Sequence, residues 1–166
     1  MKHIKSFNES IKNHLKPKTE DDIKKTLDGL TPSQKMKKIK QYDLIKLFTD
    51  DEIKNIQKQV DEEIKKVIES YKSSYNSDFF EHFVKLFPSM EKHNSVLNDY
   101  YENYFPNTGE ELTEDDIHYV YDEYYNDAYK EMLINEFEHI DLPTDDIDEL
   151  FDICQDFTFR LENVGW

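Results

Sequence analysis

Four short acidic clusters, each opened by a threonine, punctuate the sequence. They are Thr19-Glu20-Asp21-Asp22-Ile23, Thr49-Asp50-Asp51-Glu52-Ile53, Thr113-Glu114-Asp115-Asp116-Ile117 and Thr144-Asp145-Asp146-Ile147-Asp148. Each stands directly before apolar residues spaced three and four apart, the period of one face of an α-helix. A threonine oxygen placed there accepts a hydrogen bond from an amide of the first turn that has no partner within the helix. That bond is worth about 1 kcal/mol, and carboxylates near the positive end of the helix dipole add a few tenths each. The clusters therefore read as helix starts. A calcium loop needs alternating oxygen ligands, a central glycine and a distal glutamate, and none of the four has that pattern. They are not copies of a long repeat either, because IKKTLDGL follows the first cap motif and IHYVYDEYY the third.

From these starts the apolar spacing predicts an all-α fold, a compact bundle of about six to seven helices with no sheet. Ile4, Phe7, Ile11 and Leu15 mark a short amphipathic helix that ends before Pro17. The next helix runs from Thr19 to Asp28. Thr31-Pro32-Ser33-Gln34 is a capping box with proline at the first helical position, and the helix it opens is expected to reach Phe48. Thr49 caps a helix whose face is Ile53, Ile56, Val60, Ile64, Val67 and Tyr71, and SSYNS at 73–77 is the expected hinge. An aromatic helix from Asp78 to Phe87 and a helical segment over 89–105 follow. Thr113 opens a long helix to about Ile140, and Thr144 caps a last one to about Glu162. The face of the last helix is Ile147, Leu150, Phe151, Cys154, Phe157 and Leu161.

Charge this high often accompanies disorder. Here Leu, Ile, Val and Phe total 43 residues and aromatics make up 14%, enough apolar surface for a folded core. A chain of this length buries roughly two-thirds of its unfolded surface. The charge is divided along the chain. Residues 1–74 hold 17 basic and 13 acidic residues, whereas 75–166 hold 4 basic and 24 acidic, a net of −20. We read 1–74 as a mixed-charge to basic helical part and 75–166 as an acidic, tyrosine-rich helical part of one folded unit. The acidic part should repel nucleic acid and anionic membranes and attract basic proteins. The opposite signs also leave room for self-association. The single cysteine, Cys154, falls on an apolar face, where it is expected to be buried and inert. No stretch approaches the roughly 20 apolar residues of a membrane span.

Catalytic signatures are missing from the sequence. Asp115-x-x-His118 and Glu136-x-x-His139 resemble the carboxylate–histidine ligand pairs of di-iron bundles. They lie on one predicted helix, however, about 30 Å apart at the helical rise, too far to share an ion. His3, His14, His82 and His93 form no spaced set. No Ser/His/Asp or Cys/His arrangement, phosphate-binding glycine loop or paired-cysteine zinc pattern is present. The expectation is a protein that is not an enzyme, with no cofactor and no metal.

The helix opened by Thr113 carries the candidate site. Ile117, Val120, Tyr121, Tyr124 and Ala128 share its core face. Tyr119, Tyr125 and Tyr129 fall away from that face beside Asp115, Asp116, Asp122, Glu123 and Asp127. Tyrosine mixed with carboxylate suits an interface with a basic partner. Carboxylates along such a helix can imitate the phosphate row of a nucleic acid, so the expected partner is a basic nucleic-acid-binding protein.

The N-terminus, MKHIKSFNESI, resembles the capsid-targeting leader of T4-type internal head proteins of tailed bacteriophages. Met1, Lys2, Ile4, Phe7, Glu9 and Ser10 match that pattern, and Ile4, Phe7, Glu9 and Ile11 are the candidate leader or docking residues. In that family the cut follows Leu or Ile, any residue, then Glu; the corresponding triplet here is Phe7-Asn8-Glu9. The resemblance implies a phage protein. Its expected role is inhibition of a host nucleic-acid-binding or defence protein in the host cytoplasm, or alternatively a place in the virion as an internal head component.

Overall fold

The computed structural model describes the backbone of residues 19–104 and 114–166 and the side chains of residues 19–102 and 122–166. Among these residues the fold is all-α, with seven α-helices and no strand. The helices are α1 (Glu20–Asp28), α2 (Pro32–Gln41), α3 (Asp50–Tyr75), α4 (Phe79–Leu86), α5 (Met90–Tyr104), α6 (Glu114–Glu136) and α7 (Ile147–Asn163). A 3-10 turn, Ile45–Leu47, lies between α2 and α3. Among the described residues no helix is long and apolar enough to cross a membrane. The expected amphipathic helix of the N-terminal segment, with Ile4, Phe7, Glu9 and Ile11, lies outside the described residues.

Three of the threonine starts form full capping boxes. The Thr19 Oγ1 accepts from the Asp22 amide at 3.2 Å while Asp22 Oδ2 accepts from the Thr19 amide at 3.1 Å. Thr31 and Gln34 exchange the same two bonds at 3.3 and 3.2 Å, as do Thr49 and Glu52 at 3.2 and 2.7 Å. Thr113 lies outside the described residues, and the last start, at Thr144, is shifted. α7 begins at Ile147, and Asp146 is its cap, its Oδ1 accepting from the Asp148 and Glu149 amides at 2.9 and 3.1 Å. Thr144 accepts instead from the Asp146 amide at 3.2 Å, closing a tight turn after Pro143. Aspartate caps at least as well as threonine, so the threonine two residues upstream is displaced to the turn.

Helix ends depart further from the sequence pattern. α2 stops at Gln41 rather than Phe48, because Asp43 takes a left-handed φ of 51°. The Leu44 amide then reaches back to the Ile39 carbonyl at 2.8 Å. This is a left-handed termination without glycine, which Asp and Asn tolerate better than other side chains. α3 repeats the device: it runs into the expected hinge at 73–77, ends at Tyr75, and is terminated there by Asn76, φ 49°. The Ser77 amide closes on the Lys72 carbonyl. α6 ends at Glu136 rather than Ile140, with single turns carrying the chain to Asp141.

The chain divides into two compact units, and the division lies within α3 rather than at the charge boundary. One comprises residues up to Val67 with Leu161–Gly165; the other comprises Ile68–Arg160 with Trp166. The first unit has a mostly aliphatic core of Ile23, Leu27, Met36, Ile39, Leu44, Ile56 and Val60, with Phe48 and Ile53 packed partly buried against it. In this unit Ser33 Oγ donates to the Asn163 carbonyl at 3.1 Å. Gly165 sits at φ 98°, and a Cβ there would meet Ser33 Cβ at 3.1 Å and Val60 Cγ1 at 3.2 Å.

The second unit has an aromatic core. Phe79, Phe80, Phe83 and Phe87 of α4 and its end are fully buried, with Phe157 of α7 beside them. Phe83 stacks on Phe137 with ring centroids 5.7 Å apart and meets Phe157 edge-on at 5.6 Å. Trp166 lies 6.1 Å from the same ring. Offset and edge-on ring pairs add about 0.5–1.5 kcal/mol each beyond the area they bury. The α7 face expected from sequence is in place, with Leu150, Phe151, Cys154, Phe157 and Leu161 all buried. Burial pushes the Cys154 thiol far up from its ordinary pKa.

Candidate protein-binding surface

The candidate surface is built on α6 and the part of α7 in the second unit. Among the described residues, two hydrogen bonds join α5 to α6. His93 Nε2 and Tyr129 Oη lie 3.1 Å apart in the core, and Tyr100 Oη donates to Glu136 Oε1 at 2.9 Å nearer solvent. Among its described side chains, α6 buries Ala128, Tyr129, Met132 and Leu133, continued by Phe137 just beyond it. The stripe is two residues wide and fixes which way the opposite face looks.

Asp122, Glu123 and Asp127 are exposed, and Tyr125 is 38% exposed beside them. Burial on its inner side raises the Tyr125 hydroxyl above its ordinary pKa. Tyr129 departs from expectation. It is 1% exposed, with its ring 5.2 Å from Phe151 in a T-shaped contact. The Tyr129 hydroxyl lies within 3.1 Å of His93 Nε2 rather than facing a partner. The spacing of Ile117, Val120, Tyr121, Tyr124 and Ala128 defines one phase for α6. Read from its other end, Tyr129, Met132, Leu133 and Phe137 follow i, i+3, i+4, i+8, which turns Tyr129 inward. The side chains of Asp115, Asp116 and Tyr119 lie outside those described.

α7 contributes carboxylates that the sequence reading did not assign to the surface. Lys130 of α6 pairs with Asp148, and that hydrogen bond raises its pKa, with Asp127 and Asp152 adding their fields. Asp127, Asp148 and Asp152 therefore share one neighbourhood, in which Lys130 is already engaged. Further along α7, Asp156 accepts from the Tyr71 hydroxyl and from Arg160 Nε at 3.2 Å. The Tyr71 bond leads in holding the Asp156 carboxyl below the usual carboxylate range. Arg160, the sole arginine of the chain, is thus also paired. At Phe159 the α7 surface carries an apolar side chain that is 63% exposed. It lies off the predicted α7 face, and that offset was the signal available in the sequence.

Glu136 is engaged by Tyr100, and His139 Nε2 lies 2.9 Å from Glu138 Oε1. His82 and His139 line an open groove of about 390 Å³ with Asp78 and Asp141. Asp78 already pairs with Lys72, whose hydrogen bond holds it below its ordinary pKa. Among the described residues no group of three or more His, Cys, Asp or Glu is placed to hold a metal ion. The chain matches no protein-family profile, and neither a curated protein nor a solved structure is similar to it.

Proposed function

We propose that this is a phage-encoded, non-enzymatic interaction protein whose acidic second unit binds a basic protein that itself binds nucleic acid, and blocks it. The observation that carries this reading is the pairing of Lys130 with Asp148 of α7 within the fields of Asp127 and Asp152, on the same helix that exposes Asp122, Glu123 and Tyr125. Lys130 is spent there on Asp148. A surface of this kind concentrates negative potential and steers a basic partner, and its attraction weakens as salt screens it. Tyr125 supplies apolar contact area within that field, as anchors at protein interfaces do. Carboxylates on two helices present negative charge at repeated intervals, which a groove built for phosphates can accept in place of nucleic acid.

The test is affinity capture of partners from host lysate with the wild type and with a D122N/E123Q/D127N variant across a salt series. A basic nucleic-acid-binding protein should be recovered by the wild type, released by added duplex DNA and by salt, and recovered poorly by the variant. Equal recovery by both proteins at every salt concentration would overturn the assignment.

A second reading, a virion component packaged in the head, rests on the leader-like match of Met1, Lys2, Ile4, Phe7, Glu9 and Ser10. Mass spectrometry of purified particles should then detect the protein, and deletion of residues 1–10 should exclude it. Absence from particles would end that reading.

A further inference from the structure

We propose that the protein associates with a second copy of itself, the first unit of one copy receiving Phe159 from the second unit of another. The receiving site is an open groove of about 430 Å³ in the first unit, lined by Ile45, Phe48 and Ile53 with Lys46, Asp50 and Lys54. Ile45 is 51% exposed although it is a large aliphatic residue, and Lys46 and Lys54 are exposed beside it. Lys24 and Lys35, whose ammonium groups lie 4.9 and 5.8 Å from the Phe48 ring centroid, are taken up by Glu52 and Asp28, so the exposed cations of the groove lining are Lys46 and Lys54. An apolar floor with lysines around it fits a ligand that is apolar at its centre and acidic around it.

The chain carries that ligand. Phe159 is the most exposed of the large hydrophobic side chains on the described surface. Asp152 and Asp156 precede it by seven and three positions, so all three lie along one side of α7. Phe159 would fill the groove while Asp152 faces Lys46 and Lys54, Asp156 keeping its bonds to Tyr71 and Arg160. Two chains of net charge −16 repel at long range. At physiological ionic strength, however, charges more than about 8 Å apart are largely screened, whereas ion pairs in contact survive. Local complementarity therefore decides the outcome, and each copy offers both halves of the contact.

Sedimentation velocity at physiological salt over a concentration series tests this, using the wild type, I45E/K46E (groove) and F159S (knob). The substituted side chains are exposed, so the fold should be retained. The wild type should move from the 20.1 kDa chain mass toward twice that mass or more as concentration rises. Each variant alone should stay at the chain mass, and an equimolar mixture should form dimers, because each supplies the half the other lacks. A wild type that stays monomeric, variants that associate as it does, or a mixture that stays monomeric would each overturn the proposal. The two contacts share Asp152, but D122N/E123Q/D127N leaves Ile45, Phe159 and Asp152 intact, so failure of self-association and failure of the α6 assignment are read separately.

Discussion

The two units differ in how their helices are started, in their cores and in their charge balance. The first opens its helices with three reciprocal capping boxes and buries mainly aliphatic side chains in Ile23, Leu27, Ile39 and Ile56. The second buries a network of Phe rings with His93 and Tyr129 inside it. Aliphatic packing spreads its stabilisation over many small contacts, whereas an aromatic network concentrates it in a few large side chains. The comparison teaches that helix specification and function lie on different links of the chain from sequence to activity. Caps specify helices in the lysine-rich unit without creating a distinctive surface. In the other, the same acidic residue types exceed the cations present and create one.

The comparison is challenged most strongly at Phe83, which touches Phe79, Phe87, Phe137 and Phe157. Phe83→Ala should destabilise the protein by about 3–5 kcal/mol. Trp166, the only tryptophan, lies beside that ring and gives a fluorescence readout of urea unfolding. A loss below about 1 kcal/mol would show that the aromatic network is not the main source of stability there.

A smaller loss should come from pH. His93 is 2% exposed, and burial holds its pKa below the ordinary 6.5. The unfolded chain therefore binds a proton there before the folded one does. Stability is complete above the ordinary value and declines as pH falls through it toward the lower folded value. Thermal unfolding between pH 7.5 and 5 should show this decline, and H93Q should flatten it. An equal decline in the variant would remove His93 from the account.

In the first unit, Thr49→Ala should cost about 1 kcal/mol, the value of one helix cap, in the same denaturation assay. The smallest effect on stability belongs to D122N/E123Q/D127N. Exposed charges that form no hydrogen bond or ion pair among the described residues should change stability by no more than about 0.5 kcal/mol. A larger loss would mean that the acidic face is part of the fold rather than a surface kept for a partner.

Helix starts were legible because a cap and its first turn are local. Thr19, Thr31 and Thr49 sit within three residues of the amides they serve. Helix ends were less legible, because Asp43 and Asn76 terminate α2 and α3 in a left-handed conformation usually signalled by glycine. The candidate surface was legible in composition at Asp122, Glu123 and Asp127. It was illegible at Tyr129, where α6 is wide enough in apolar residues to fit two rotational phases and the packing of α5 against it selects one. The contribution of Asp148 and Asp152 depends on α7 lying beside Lys130, a tertiary fact that spacing along one helix cannot supply.

The central claim is that the acidic face of α6 recognises a basic nucleic-acid-binding protein in place of nucleic acid. The most direct test is competition: a captured host partner is bound to labelled duplex DNA and titrated with the wild type or with D122N/E123Q/D127N. Displacement of the DNA by the wild type, weakened by salt and by the triple substitution, is the predicted result. Displacement of equal strength by the variant, or none by either protein, would contradict it.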